Sequence, residues 1–500
     1  MQTRPAGYQW LKVHYGLPDH QLTHTSWLGS NNSIELTSGG KVEQVYGLRY
    51  APAADTPLHH IEFALKYDDL NLDLLAIVSQ RLEPVEVEAY IRKTPAGRYT
   101  RTIGFLYEWL TTRQLVIDKP VAANYVDVLD PRKYVIGTVV KNVKWKINDN
   151  LPGTPAWCPL VRLKGELARL LEVDISAEFR ELKASYSEET FRRAAQYLYR
   201  KETRSSYAIE QETPSPDRME KFIALLMQAG TRATEVVLEK PELVTLQNVI
   251  VDPRYAAADV RDFQNYVGES LPGFEERFHY ICPPPDMVAS LMNGLIAATA
   301  KTRAVPTQVR AAMVSFGFVF IHPFEDGNGR LHRFLIHQIL VRDGLVPGGT
   351  IIPVSAHMLS NMQEYDRVLE KYSVPLMQRI RYTKKPNEEL LVTNPGEVNS
   401  YFRYPDLTDQ VVYLAGTIAQ TLQQDMPQEL DFLMRYDEAR TALQQIVDMP
   451  DKKLGNMLLF LHQNKGVFPK RRREQFAELT DEEVEHMQAA YRTVYEMDTL

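Results

Sequence analysis

The stretch "VPTQVRAAMVSFGFVFI" (Val305–Ile321) constrains the fold more than any other part of the chain. It is apolar on nearly every side. A helix made from it has no face to show to water and must be wrapped by other elements. It is shorter than the roughly 18 apolar residues that a membrane-spanning helix needs, so the wrapping is protein. His322-Pro323 follows. A proline disfavours α geometry in the residue before it, so the helix ends near His322. Leu331, Phe334, Leu335 and Gln338 then recur at helical spacing, which starts a second helix around Gly327-Asn328-Gly329. A chain organised around this pair is mainly α.

Five hundred residues are too many for one core, and two or three domains are expected. At 44% hydrophobic and 24% charged residues, the composition is that of a globular protein rather than a disordered one. A formal charge of −7 gives no global field for nucleic acid. Two cysteines, Cys158 and Cys282, build no disulfide framework and fit a reducing compartment. The first twenty residues lack the uninterrupted apolar core of a signal peptide. The expectation is a cytoplasmic protein with no membrane partner.

Residues 1–160 mix strand and helix patterns and are expected to form a mixed α/β domain. "NNSIELTSGGKVEQVYGLRY" reads as a strand pair, and "LDPRKYVIGTVVKNVKWKIND" as further strands. Two helical patterns between them are broken at Thr94–Gly97. The Pro-rich Asn150–Leu160 marks a boundary, and a core of residues 161–376 follows. In that core "SYSEETFRRAAQYLYRKETRSSYAIEQE" forms a long helix (about 186–212), with Ser185 and Glu188 at capping-box spacing. "FQNYVGESLPGFEERFHYI" suits a short hairpin, or flap. "RFLIHQILVRDG" is amphipathic and closes at a glycine. Residues 377–500 begin as strand and loop and continue as a helical region.

Between the two central helices lies "HPFEDGNGRLHR" (His322–Arg333). A glycine-rich helix start leaves backbone N–H groups unpaired at the positive end of the helix dipole, which makes an anion site. Arg330 and Arg333, three apart, project towards the same anion and suit phosphate. Asp326, just before the helix, suits Mg²⁺ bridging phosphate oxygens. His322 is placed to take a proton at neutral pH. The set describes transfer of a phosphorus group from a nucleotide. The Lys-Ser/Thr of a Walker loop is absent.

This stretch resembles the signature of the Fic family, His-Pro-Phe-x-(Asp/Glu)-Gly-Asn-Gly-Arg-x-x-Arg, at every fixed position. The resemblance covers roughly residues 185–375. It implies a helical core with a β-hairpin flap, and an activity that moves AMP from ATP onto a Ser, Thr or Tyr hydroxyl of a target protein. Carried over, His322 is the general base and Asp326 the Mg²⁺ ligand. Gly327, Asn328 and Gly329 form the anion hole, and Arg330 and Arg333 contact the outer phosphates. Leu331 and His332 lie in the same nucleotide-binding turn. Phe324 anchors the loop in the core, and Glu325 is solvated. The flap residues Asn265, Tyr266, Val267 and Gly268 lie against the nucleotide, while the hairpin docks the target by strand pairing. Tyr365 is a further nucleotide contact.

"SSYAIEQE" places Ser206 and Glu210 four apart, on one helical face. It resembles the family's inhibitory pattern (Ser/Thr)-x-x-x-Glu-(Gly/Asn), which implies that Glu210 pairs with Arg333 and blocks seating of the γ-phosphate. Gln211 replaces the usual Gly or Asn, so a different helix end and a weaker brake are expected. Alternatives are a family member that removes AMP with help from Glu210, or a regulatory, DNA-binding protein with a silent core. The second draws on Arg92, Lys93, Arg98, Arg101 and Arg113 as a helix-turn-helix, and on "PKRRR" (Pro469–Arg473). Self-association through the tail helix is a further expectation.

Overall fold

The computed structural model describes residues 3–36, 41–117, 120–163, 165–272, 275–384 and 390–496. The described residues are mainly helical, with four small sheets. Thr307–Ile321 is the central helix, and from Gln308 onward only Val319 on it is not fully buried. Asn328–Arg342 packs against it and is buried from Leu331 to Leu340. The amphipathic pattern expected for this second helix is therefore replaced by near-complete enclosure, with Arg333, His337 and Gln338 used in internal bonds. Among the described residues no helix is long and apolar enough to cross a membrane.

The N-terminal part carries a four-stranded sheet in the order Arg4–Ala6, His24–Gly29, Val42–Gly47, Ser33–Leu36. The expected strand pair is its antiparallel edge, with Ile34 opposite Gln44; the turn between them lies outside the described residues. Val42–Gly47 runs parallel to His24–Gly29, a pairing that local pattern does not announce. Of the basic residues expected to form a helix-turn-helix surface, Arg92, Lys93, Arg98 and Arg113 are exposed, while Arg101 is enclosed. In Arg98–Thr111 the run Thr100–Tyr107 is buried, and Arg101, 3% exposed, donates to the carbonyls of Asn124 and Lys146 at 3.0 and 2.8 Å. An arginine spent on internal carbonyls does not reach DNA phosphates. Arg473 is likewise turned inward, onto Asp481 and the Phe476 and Leu479 carbonyls. The tail helix Asp481–Val494 starts with a capping box of Thr480 and Glu483.

The chain division expected at residue 376 does not separate two cores. One buried apolar cluster takes in Phe191, the central helix pair, and Val398 through Leu430. Helix Met362–Arg379 runs on past Tyr372 despite Pro375, and Thr408–Gln420 packs on the central helix. Residues 158–162 also bond to residues 403–408, with Leu160 N–H donating to Pro405 O at 2.8 Å and Leu407 N–H to Leu160 O at 2.9 Å. A second cluster holds Tyr8 to Leu160, and a third Ala439 to Tyr491. The first two are joined by charge. Asp73 is buried and receives Arg379 Nη1 at 2.6 Å, Arg379 Nη2 at 3.0 Å and Ser400 Oγ at 2.6 Å, with His20 Nε2 at 3.1 Å.

Candidate functional site

His322 caps the central helix in the left-handed region, at φ 53° and ψ 60°. Such a residue is strained, and the chain turns there through Pro323 to bury Phe324 completely. Asn328 sets the turn. Its Oδ1 accepts the Phe324 N–H at 3.0 Å and its Nδ2 donates to Phe324 O at 2.8 Å. The asparagine side chain thus builds the loop, leaving only its backbone N–H for an anion. Gly327, at φ 88°, starts the second helix in a conformation that favours glycine.

The imidazole of His322 is half-buried, with Nδ1 3.1 Å from Val319 O. A carbonyl only accepts, so Nδ1 carries the proton and Nε2 holds a free lone pair. Burial lowers its pKa to about 4, the Val319 carbonyl opposing and the Arg261 charge assisting. The ring is therefore a neutral base well below pH 7.

The two arginines of the signature are each about 1% exposed and each held by a carboxylate. Arg333 donates Nε to Ser206 Oγ at 2.8 Å, Nη2 to Ser206 O at 2.8 Å, and Nη2 to Glu210 Oε1 at 2.6 Å. Burial disfavours its charge, but Glu210 and Tyr365 outweigh this and hold its pKa above the usual value. Arg330 donates to Glu212 Oε2 at 3.0 Å and to Asp326 Oδ1 at 2.6 Å. It also lies 5.3 Å from the Tyr207 ring centroid. A Cβ added at Gly329 would collide with Glu210 Oε1. The Glu210 carboxylate therefore rests against the helix mouth where an anion would sit.

Helix Glu188–Ile209 ends at its C-cap Glu210, with Glu212 two residues beyond. Its N-cap is Ser187, which accepts the Thr190 N–H, while Ser185 belongs to the end of the preceding helix. Its C-terminus corrects the expectation drawn from Gln211. Gln211 takes φ 57°, the conformation glycine would adopt. Glu212 N–H reaches Tyr207 O at 3.0 Å and Gln211 N–H reaches Ala208 O at 2.9 Å, the paired bonds of a Schellman end. The helix thus closes in the glycine manner with a glutamine, and the reversal brings Glu212 back onto Arg330.

Several expected contacts are placed differently. Leu331 and His332 are fully buried on the core side of their helix, so only their backbones face the mouth. His332 lies 4.7 Å from the Phe316 ring, and burial lowers its pKa to about 3. Tyr365 is 4% exposed and bonds Arg333, which makes it a support of the arginine rather than an open nucleotide contact. In the flap, Asn265 Nδ2 donates to Phe324 O at 3.0 Å. Tyr266 packs edge-on against Phe278. Gly268 sits over Arg277 O, where a Cβ would collide. Val267, 43% exposed at a bulge, is the flap residue of this set that shows an apolar side chain to solvent.

Asp326 keeps 39% of its side chain exposed, and its Oδ1 also accepts the Gly327 N–H at 2.5 Å. Among the described residues no three His, Cys, Asp or Glu side chains cluster as a metal cage. One carboxylate suits Mg²⁺, which binds through one or two carboxylates plus substrate phosphates and water. Sequence reasoning passed over three supports. Glu212 holds Arg330; Gln247 Nε2 donates to Asp326 O at 3.2 Å; Arg261 bonds the His322 carbonyl.

The model of the Fic/DOC family matches residues 237–340. Protein adenylyltransferase fic-1 of Caenorhabditis briggsae is 32% identical over 133 residues, 25% of this chain and 24% of that protein. Its Caenorhabditis elegans namesake is 30% identical over 151 residues, 28% of each. The chain thus spans about a quarter of the length of these curated relatives. A solved Fic family protein from Desulfovibrio desulfuricans G20 aligns with 57% of this chain and 82% of its own, at TM-score 0.39 and 18% identity.

Proposed function

This chain is a Fic family protein, and on that premise we propose that it transfers AMP from ATP to a hydroxyl side chain of a target protein. The observation that carries this reading is the meeting of a neutral, Nδ1-protonated His322 with a helix mouth lined by Gly327–Gly329, Arg330 and Arg333. His322 Nε2 takes the hydroxyl proton as the oxygen attacks the α-phosphorus. The bond to the β-phosphate breaks and pyrophosphate leaves. Its charge is met by the first-turn N–H groups and the two arginines, once these are released from their carboxylates. Asp326 is the residue that would hold Mg²⁺, which neutralises phosphate charge when bound.

The same reading takes Glu210 as a brake, supported by its bond to Arg333 and its seat on Gly329. Glu212 extends the brake to Arg330. Incubation with labelled ATP, Mg²⁺ and a cell lysate tests the proposal. A labelled band is expected with Glu210→Gly and none when His322→Ala is added. Equal labelling with and without the histidine rejects the reading. Release of AMP from a modified band by wild type, with Mg²⁺ and no ATP, would instead favour AMP removal aided by Glu210.

A further inference from the structure

Arg261 is 5% exposed, and among the described residues no carboxylate pairs with it. A buried, unpaired cation is costly, and what balances this one is backbone. Nε donates to His322 O at 2.7 Å, and Nη2 to Ile321 O at 3.3 Å. These carbonyls stand at the negative end of the central helix, which favours a cation. The remaining bonds go to the flap. Nη1 donates to Phe263 O at 2.8 Å, just before the first strand, and Nη2 to Pro283 O at 2.7 Å, just after the second. The Arg261 N–H also bonds Pro323 O at 2.8 Å. One guanidinium therefore closes the base of the hairpin and ties it to the residue bearing the imidazole. Closing the hairpin alone does not require a charge: Gln264 Nε2 already bonds Cys282 O at 2.6 Å across the same base.

From this geometry we infer that Arg261 is a positioning residue: it holds the His322 imidazole in register with the flap, and so with the target hydroxyl that the flap presents. The planar fork of arginine is what allows three elements to be bonded at once. Resting on the transfer reading, the inference predicts an effect on the chemical step and not on nucleotide capture, because the helix mouth and Arg333 make no bond to Arg261.

The test uses the full-length chain carrying Glu210→Gly, with Arg261→Lys or Arg261→Met added. Self-labelling at saturating ATP is expected to fall on the order of a hundredfold in the methionine variant, as misplacement of a catalytic group by about 1 Å does. Lysine should restore part of it. Half-saturation by ATP and direct ATP binding should stay within about twofold. Unchanged labelling overturns the inference, as does a loss of ATP binding equal to the loss of rate. Histidine-selective NMR of the wild-type chain and of the lysine and methionine variants, neither carrying Glu210→Gly, decides it without activity. The expected result is one Nδ1-protonated His322 ring in wild type and averaged tautomers in the methionine variant. An unaltered ring signal there overturns it too. Should the Glu210→Gly chain transfer no AMP, the function fails as proposed while the NMR comparison still judges Arg261.

Discussion

Removing Glu210 and Glu212 separately and together tests the brake on its own terms. Arg333 loses one charge-assisted bond of 2.6 Å in Glu210→Gly while keeping both bonds to Ser206. A hydrogen bond to a charged group contributes about 1.5–3 kcal/mol. The Glu210 side chain is 35% exposed, which argues for the screened part of that range. About 2 kcal/mol corresponds to roughly a 30-fold rise in rate if seating of the phosphate is limiting. Glu212 holds Arg330 through longer contacts of 3.0 Å and shares its carboxylate with Arg218 at 3.0 Å. About 1 kcal/mol, or roughly fivefold, is expected for Glu212→Gln. The two arginines are three residues apart and seat one anion, so the double variant should depart from simple addition. Initial rates of labelled AMP incorporation at saturating ATP, over the four proteins, measure all three terms. Equal rates across the four refute the brake. A double variant no faster than Glu210→Gly refutes the part assigned to Glu212.

Four further outcomes follow from particular contacts. His322 has its folded pKa lowered to about 4, against an unfolded value near 6.5, so the ring stays neutral on acidification. The transfer rate should hold from pH 8 to about 5.5 and fall only below that; an acid limb centred near 6.5 in a pH–rate profile contradicts the assigned environment. Together with His332, lowered to about 3, it also predicts stability that is complete above about pH 6.5 and is lost as pH falls towards 4, because the unfolded chain takes up those protons first. Gln211→Gly relieves a left-handed side chain and should stabilise the chain by about 1 kcal/mol, read as a higher denaturation midpoint with no rise in self-labelling; a lower midpoint counts against the Schellman end. Asp73→Ala leaves Arg379 buried opposite His20 without its carboxylate and should cost about 3–5 kcal/mol; a change under about 1 kcal/mol in urea unfolding shows that the junction does not join the two clusters.

What could be read in the chain beforehand divides by the range of the interaction. The end of the central helix was legible because Pro323 acts on its immediate neighbour, and the start of the next because Leu331, Phe334 and Gln338 repeat within two turns. Ser206 and Glu210 were legible as one face. Glu212 was not: two residues beyond Glu210 on a continuing helix it would point away, and only the left-handed Gln211 turns it back. Burial decided other cases. Arg101 and His332 belong to types that usually mean surface or ligand, and both are enclosed. Arg261 gave no signal because its partners are carbonyls, 60 and 61 residues away for Ile321 and His322, and every residue has a carbonyl. The union of residues 161–376 with the helices up to Leu430 depends on contacts such as Gln410 Nε2 with Val368 O, 42 positions apart, and its tie to the N-terminal part on Asp73 with Arg379, 306 apart, for which no local pattern exists.

The polar rungs between helices Glu188–Ile209 and Asn328–Arg342 bear on how the brake opens. Glu202, Ser206 and Glu210 follow one another at four-residue steps and meet His337 and Arg333. The rungs are unequal. Glu202 is 1% exposed and holds His337 Nε2 at 2.7 Å and the Ser355 N–H at 2.8 Å. Withdrawing the whole helix would leave His337 and the Ser355 N–H without that carboxylate, a penalty of several kcal/mol. Glu210 stands at the partly exposed end and gives up a single bond. A nucleotide phosphate, or a partner touching the turn at Gln211, therefore meets far less resistance by unwinding the last turn than by displacing the helix. On the proposed reading the brake would be a latch at the tip of an anchored helix, with Glu202–His337 as the anchor.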